Sequence, residues 1–251
     1  MMNRMRSSFP AVFIVFFSAA VFAQVPGSDA TGILQRANGA MGCNSIGAAT
    51  TISVRGMLTA SSLAAPMPLT IDTLGNDHWR SELDTPKEHK VTVVNSGRGQ
   101  TQHADGRISP LAENNTFHQR PMHIPCLTNM ALPPAVVQAN YLRAEPVGAD
   151  TLDVVEVLLT NRPSLTRAAD LMRNVLWISR STGLLMKLQY VNAAENDSND
   201  TQTVEISYSD YRVVSGLAVP FHQTTVAGSL SLDLQLDSVQ FNTPAADFNL
   251  R

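Results

Sequence analysis

Histidines, cysteines and acidic side chains are the groups in this chain that could hold a metal or move a proton, and their spacing supports neither. His118 and His123 stand five apart with Pro121 between them, so no helix presents both on one face. His78, His103 and His222 fall in separate segments and Glu88-His89 is isolated, so no HExxH-like ligand set appears. A metal site assembled from distant histidines is the alternative to surface and capping histidines, and no ligand spacing favours it. Nucleophile motifs are missing too. There is no Gly-x-Ser-x-Gly, and the serines lie in strand-like and turn-like segments where hydroxyls satisfy backbone groups. Cys126 has His123 nearby, as a catalytic thiol would need, but a second cysteine, Cys43, makes a structural role the stronger reading. Ser96-Gly97-Arg98-Gly99 opens no helix and is a turn, not a phosphate cradle. Asp72, Asp77, Glu82 and Asp84 belong to a solvated face. The expectation is a protein that is not an enzyme, with no metal and no cofactor.

What remains is apolar surface. Trp79, Trp177, Leu185, Leu188, Phe221, Leu232 and Leu234 can all look inward from strands, either as ordinary core or as the lining of a core left open. An open core would suit acyl chains, which gain about 0.8 kcal/mol per buried methylene and require no polar anchor. Such a site leaves almost no motif.

The elements that would position these side chains begin after a leader. Arg4 and Arg6 form a basic start, Phe9 to Phe22 an apolar stretch, and Val21-Phe22-Ala23 a small-x-small cleavage pattern. Residues 1–23 therefore read as a cleavable signal peptide that directs export to the periplasm, leaving 24–251 as one domain. A retained membrane anchor is the rival reading, but the stretch is shorter than the roughly 20 residues a spanning helix needs. Of 18 Lys+Arg and 21 Asp+Glu, the leader removes Arg4 and Arg6, so the mature chain carries 16 basic against 21 acidic residues, a net of −5. With no basic run, nucleic acid is not expected as a partner. Cys43 and Cys126 are expected to pair in an oxidising compartment; two unrelated buried thiols are the alternative.

Ser28 to Met41 reads as a helix capped by Ser28 or Asp29, with Ile33, Leu34, Ala37 and Met41 on one face and Gly42 ending it. Period-2 alternation then marks strands: Thr51 to Thr59, Met67 to Thr73, His78 to Leu83 and Lys90 to Asn95. Residues 100 to 131, polar and Pro-rich, read as a surface excursion or lid, and Pro133-Pro134 as the start of a short helix reaching about Tyr141. Arg162 to Arg173 could be a helical turn or a hairpin loop. Strands return after Thr151, as Leu152 to Thr160, Val175 to Ser179, Leu184 to Val191, Thr201 to Tyr208, Tyr211 to Val214, Val219 to Val226 and Leu230 to Phe241, with a polar tip at Asn192 to Asp200. Short connections between successive strands make the sheet antiparallel. The expected fold is mainly β (α+β), a strongly curved antiparallel sheet or half-barrel of about ten strands with two or three helices on its concave side.

Three stretches resemble a known family. The first is Ile33-Leu-x-x-Ala-x-x-Ala-Met-Gly42 with the strand Ile52 to Gly56. The second is Val175-Leu-Trp-Ile-Ser-Arg-Ser-Thr-Gly-Leu-Leu185. The third runs from Tyr208-Ser-Asp-Tyr-Arg212 through Gly216-Leu-Ala-Val-Pro-Phe221 to Val239-Gln-Phe-Asn242. Together they are similar to the periplasmic lipoprotein-carrier superfamily, of the localisation-factor A and B type, in its outer membrane lipoprotein-sorting branch. The resemblance implies an open half-barrel whose apolar cavity shields the acyl chains of lipoproteins or other lipid. It also implies an arginine latching the helical lid, for which Arg55 and Arg80 are the candidates. The resulting expectation is a monomeric periplasmic carrier or binder of acyl chains. The alternative is an envelope interaction or sensory module of the same fold, with a protein partner and no transport.

Overall fold

Helix α1 begins where the sequence supplies a cap. The Asp29 carboxylate accepts a hydrogen bond from the Thr31 backbone N–H at 3.0 Å, and the helix runs Ala30–Met41. Ala30, Ile33, Leu34, Ala37 and Met41 are its buried face, the stripe that the sequence spacing predicts. Gly42 ends it at φ 74°, and a Cβ there would stand 2.2 Å from the Gly216 carbonyl oxygen, so both conformation and contact require glycine. The structure is a computed structural model. It describes residues 29–250 except 48–49, 64, 76–77, 86–87, 112–122, 129–130, 132–133, 161–172 and 194–199. The leader expected at 1–23, nearly all of the 162–173 segment and most of the polar tip at 192–200 lie outside the described residues.

Among the described residues thirteen strands follow: β1 Thr51–Ala60, β2 Met67–Leu74, β3 His78–Asp84, β4 His89–Asn95, β5 Arg98–Gln102, β6 Ile108–Pro110, β7 Val137–Val147, β8 Asp150–Leu159, β9 Arg173–Ser179, β10 Leu185–Ala193, β11 Thr201–Val214, β12 Leu217–Ala227 and β13 Leu230–Phe241. All belong to one strongly curved antiparallel sheet, in the order β6-β5-β4-β3-β2-β1-β13-β12-β11-β10-β9-β8-β7. Two meanders, β1 to β6 and β7 to β13, meet where β1 pairs with β13. The order starts and ends on different strands, so the sheet is open at β6 and β7.

The strand and helix counts differ from expectation for identifiable reasons. Thr201 to Tyr208 and Tyr211 to Val214 are one strand, interrupted by Asp210 at φ 51°. β5, β6 and β7 are added where the sequence reads as irregular chain or helix. The helix expected from Pro133 to Tyr141 is a single 3-10 turn, Pro134–Val136, that passes directly into β7. Residues 137–147 have fair helix propensity, but pairing along the whole of β8 overrides it. Among the described residues α1 is the one α-helix, where two or three were expected.

Paired residues share a face, and this sorts the sheet into an inner, helix-side face and an outer one. Ile52, Thr73, Trp79 and Val94 form one inner row; Val155, Leu176, Leu188 and Ile206 form another. The main core joins the buried face of α1 to these rows. Replacing Ile33, 3% exposed within it, by Ala should cost about 2 to 4 kcal/mol. Urea unfolding checks this, and an unchanged midpoint would contradict burial of that helix face. The outer face has its own patches. The C-terminal tail crosses it: the Thr51 hydroxyl donates to the Thr243 carbonyl at 2.6 Å, and Phe248 is buried against Val91 and Val93.

Candidate functional site

The inner face gathers most of the expected lining. Leu185 and Leu188 are fully buried, and Phe221 and Leu234 belong to the same helix-side core. Leu232 is half-buried at the rim, opposite Ala60 and Thr225. Trp79 faces inward between Thr73 and Val94 and is 6% exposed.

Trp177 does not join them. It lies on the outer face, in a separate cluster with Leu152 and Val154. Its Nε1–H donates to Glu145 Oε2 at 3.0 Å, and Lys187 Nζ sits 3.9 Å from the ring centroid. Those contacts, the indole N–H first and then Arg143, hold the Glu145 carboxyl below the usual carboxylate range. The reason for the difference is local: Val175-Leu-Trp-Ile178 is apolar on both faces, so alternation does not choose between Trp177 and its neighbours Leu176 and Ile178, which face the helix.

Cys43 and Cys126 form a disulfide with a Cα separation of 4.9 Å. It ties the end of α1 to residues 123–128, all of which are buried. This corrects the expectation of a surface excursion over 100–131: its first part is β5 and β6, and 123–128 is core. Gln223 Nε2, pointing inward from β12, donates to the His123 carbonyl at 2.9 Å. Burial pushes the His123 imidazole down to about 3, so the ring is neutral at ordinary pH.

Neither latch candidate, Arg55 or Arg80, points toward α1. Arg55 is exposed, its register partners Thr70 and Ser238 placing it on the outer face, and Arg80, also on that face, pairs with Glu82 at 2.7 Å. Arg36 of α1 instead reaches Asp153 of β8 at 3.4 Å, and Arg180 of the β9–β10 turn reaches the same carboxylate at 2.7 Å. Asp153 is 3% exposed and faces the helix, opposite Ile178. Its position was detectable as the one charge breaking the apolar run Leu152 to Val155.

Among the described residues no cluster of three or more His, Cys, Asp and Glu could hold a metal. Ser209, His222 and Asp233 form a hydrogen-bonded row at 2.9 and 2.7 Å on the outer face, where the His222 and Asp233 side chains are partly exposed. A cleft of about 1010 Å³ also lies mainly on that side, between the β4–β5 hairpin, β6 and the tail, with Val93, Arg98, Pro110 and Phe248 among its walls.

No protein-family model and no curated protein matches the chain. Solved structures do. A LolA superfamily protein from Nitrosomonas europaea matches at 12% identity and a TM-score of 0.58, over 88% of this chain and 97% of that one. A structure described as an outer membrane lipoprotein-sorting protein domain, from Vibrio parahaemolyticus, matches at 11% identity and 0.59, over 88% and 96%. A DUF1329 family protein from Desulfovibrio piger matches at 11% and 0.58, over 88% and 99%. The chain has the LolA-like fold. At such identities the likeness is one of architecture, and the side chains of the site have to be read from this chain alone.

Within this LolA-like sheet the inner face carries a few polar atoms with no partner. Trp79 Nε1, His123 Nε2 and both side-chain polar atoms of Asn174 are buried and make no hydrogen bond among the described residues. Each such group costs about 1 to 3 kcal/mol unless something meets it. Sequence reasoning found Trp79 as an apolar surface and missed Asn174 altogether, although an Asn two residues before Leu176 in an apolar strand is a visible break in pattern.

Proposed function

We propose that the protein binds the acyl chains of lipoproteins or other lipid on the helix side of its sheet and carries them in the cell envelope, as a binder and not as an enzyme. The observation that carries this reading is the breadth of the apolar inner face against its one described α-helix, with residues 123–128 covering part of the remainder. Thirteen strands at about 4.8 Å spacing make a sheet roughly 58 Å wide, whereas a 12-residue helix is about 18 Å long and 10 Å across. The buried inner rows are built mainly of Val, Leu, Ile and Phe, the surface an acyl chain would take over on binding. The LolA-like fold, shared with a domain described as sorting outer membrane lipoproteins, supports the same ligand class. Placement in the periplasm rests on the leader read at 1–23; among the described residues no helix is long and apolar enough to cross a membrane.

Fluorescent fatty-acid analogues are expected to bind a monomer with micromolar or better affinity and to be displaced by a lipopeptide. Failure of every acyl probe to bind would overturn the carrier reading. The second reading, an envelope interaction module, draws on the open edge strand β7, where Leu142 is 44% and Val147 51% exposed. Native mass spectrometry of protein purified from its own envelope separates the two. Co-purified acyl ligand supports the carrier, and a stoichiometric protein partner supports the module.

A further inference from the structure

We infer that Asn174 is a polar anchor on the inner face, and that it takes the amide or ester carbonyl of an acylated ligand. This rests on the acyl-binding reading and gives it a chemical preference that a purely apolar cavity would lack.

Asn174 opens the inner face of β9. Its register partners are Val157 on β8 and Tyr190 on β10, and the next inner-facing residues along its own strand are Leu176 and Ile178. The residue is 0% exposed, and among the described residues neither its amide oxygen nor its amide nitrogen has a hydrogen-bond partner. The setting is of low polarity, and burial pushes the neighbouring Tyr190 hydroxyl up to about 12.

A polar side chain kept for structure satisfies itself within the protein, as Gln223 does with the His123 carbonyl. One kept for packing at this position would be Leu, the near-isostere found two residues on. Asn174 does neither. An amide offers an acceptor oxygen and a nitrogen with two donor hydrogens, so a group presenting a carbonyl with an adjacent N–H gives both polar atoms a partner, an ester carbonyl gives one to the nitrogen alone, and a hydrocarbon gives none. A buried site with unmatched hydrogen-bonding groups discriminates strongly between ligands that do and do not supply the missing partner. The order of preference follows: acyl amide, then acyl ester, then alkane of equal length.

The test uses displacement of a pyrene-labelled alkane, a reporter without a carbonyl, by dodecanamide, methyl dodecanoate and dodecane. Wild-type protein should bind dodecanamide roughly ten-fold or more tightly than dodecane, with the ester between them. Asn174→Leu should remove most of that advantage while dodecane and the reporter bind as before. Asn174→Ala, with circular dichroism to confirm folding, serves if the Leu variant does not fold. If both variants keep the wild-type order of preference, or if Asn174→Leu merely raises the thermal midpoint of the ligand-free protein with all three affinities unchanged, the anchor is overturned and the acyl-binding reading stands. If wild-type protein does not bind even the reporter, both fall together.

Discussion

Taking the protein from pH 6.5 to pH 3 is expected to remove about 4 kcal/mol of stability through one side chain, His123. The folded state holds this imidazole neutral down to about 3, by burial alone, whereas the unfolded chain takes up its proton near 6.5. Between those values the unfolded state binds more protons, so stability falls as pH falls. Above 6.5 the contribution is whole. The ring belongs to the disulfide-tied segment, is 5% exposed, and among the described residues its Nε2 meets no hydrogen-bond partner. His123→Gln removes the titration while leaving a neutral polar group. The stability difference between the two proteins should therefore move steadily in favour of the variant from pH 7 to pH 4, read from urea midpoints at each pH. Carboxylates act on both proteins equally and cancel. Parallel curves would show that the imidazole is not held neutral.

Loss of the Cys43–Cys126 disulfide should be comparably costly. The bond spans a sequence separation of 83, and closing a loop of that length in the unfolded chain corresponds to about 4.5 kcal/mol. The pair Cys43→Ala with Cys126→Ala should lose most of that in chemical unfolding at pH 7, and reduction of the wild type should do the same. The effect should also be local. Ile124 and Leu127 are buried beside the end of α1, so hydrogen exchange at 123–128 should rise before exchange in β9 or β10. Unchanged stability on reduction would mean that the bond adds no constraint.

The sequence revealed elements more clearly than faces. Ile33, Leu34, Ala37 and Met41 mark α1 because a helix half in water must segregate its sides, and Gly42 marks its end because few residues adopt that conformation. The alternation in Thr51 to Thr59 is readable for the same reason. Where both faces of a strand are covered, the signal disappears: Trp177 and Leu176 look equally apolar, yet one packs outward with Val154 and the other beneath α1. β7 was hidden because an edge strand, paired on one side only, is held by its partner β8 and shows no pattern of its own. Arg36 and Asp153, 117 residues apart, could be joined only by the fold. Asn174 looks like a defect in a strand until its isolation is seen.

The junction of β1 with β13 constrains how the chain can fold. Each meander is built of near-neighbour hairpins, so its contacts are local and close quickly. The seam between them, by contrast, brings Ile52 beside Phe241 and Ala60 beside Leu232. A chain emerging N-terminus first can therefore form β1 to β6 early, but β1 keeps an unpaired edge until the last strand has appeared. That seam joins segments nearly the whole chain apart, so it carries the largest loop-closure cost in the sheet, and until it pairs β1 presents a pairing-competent edge.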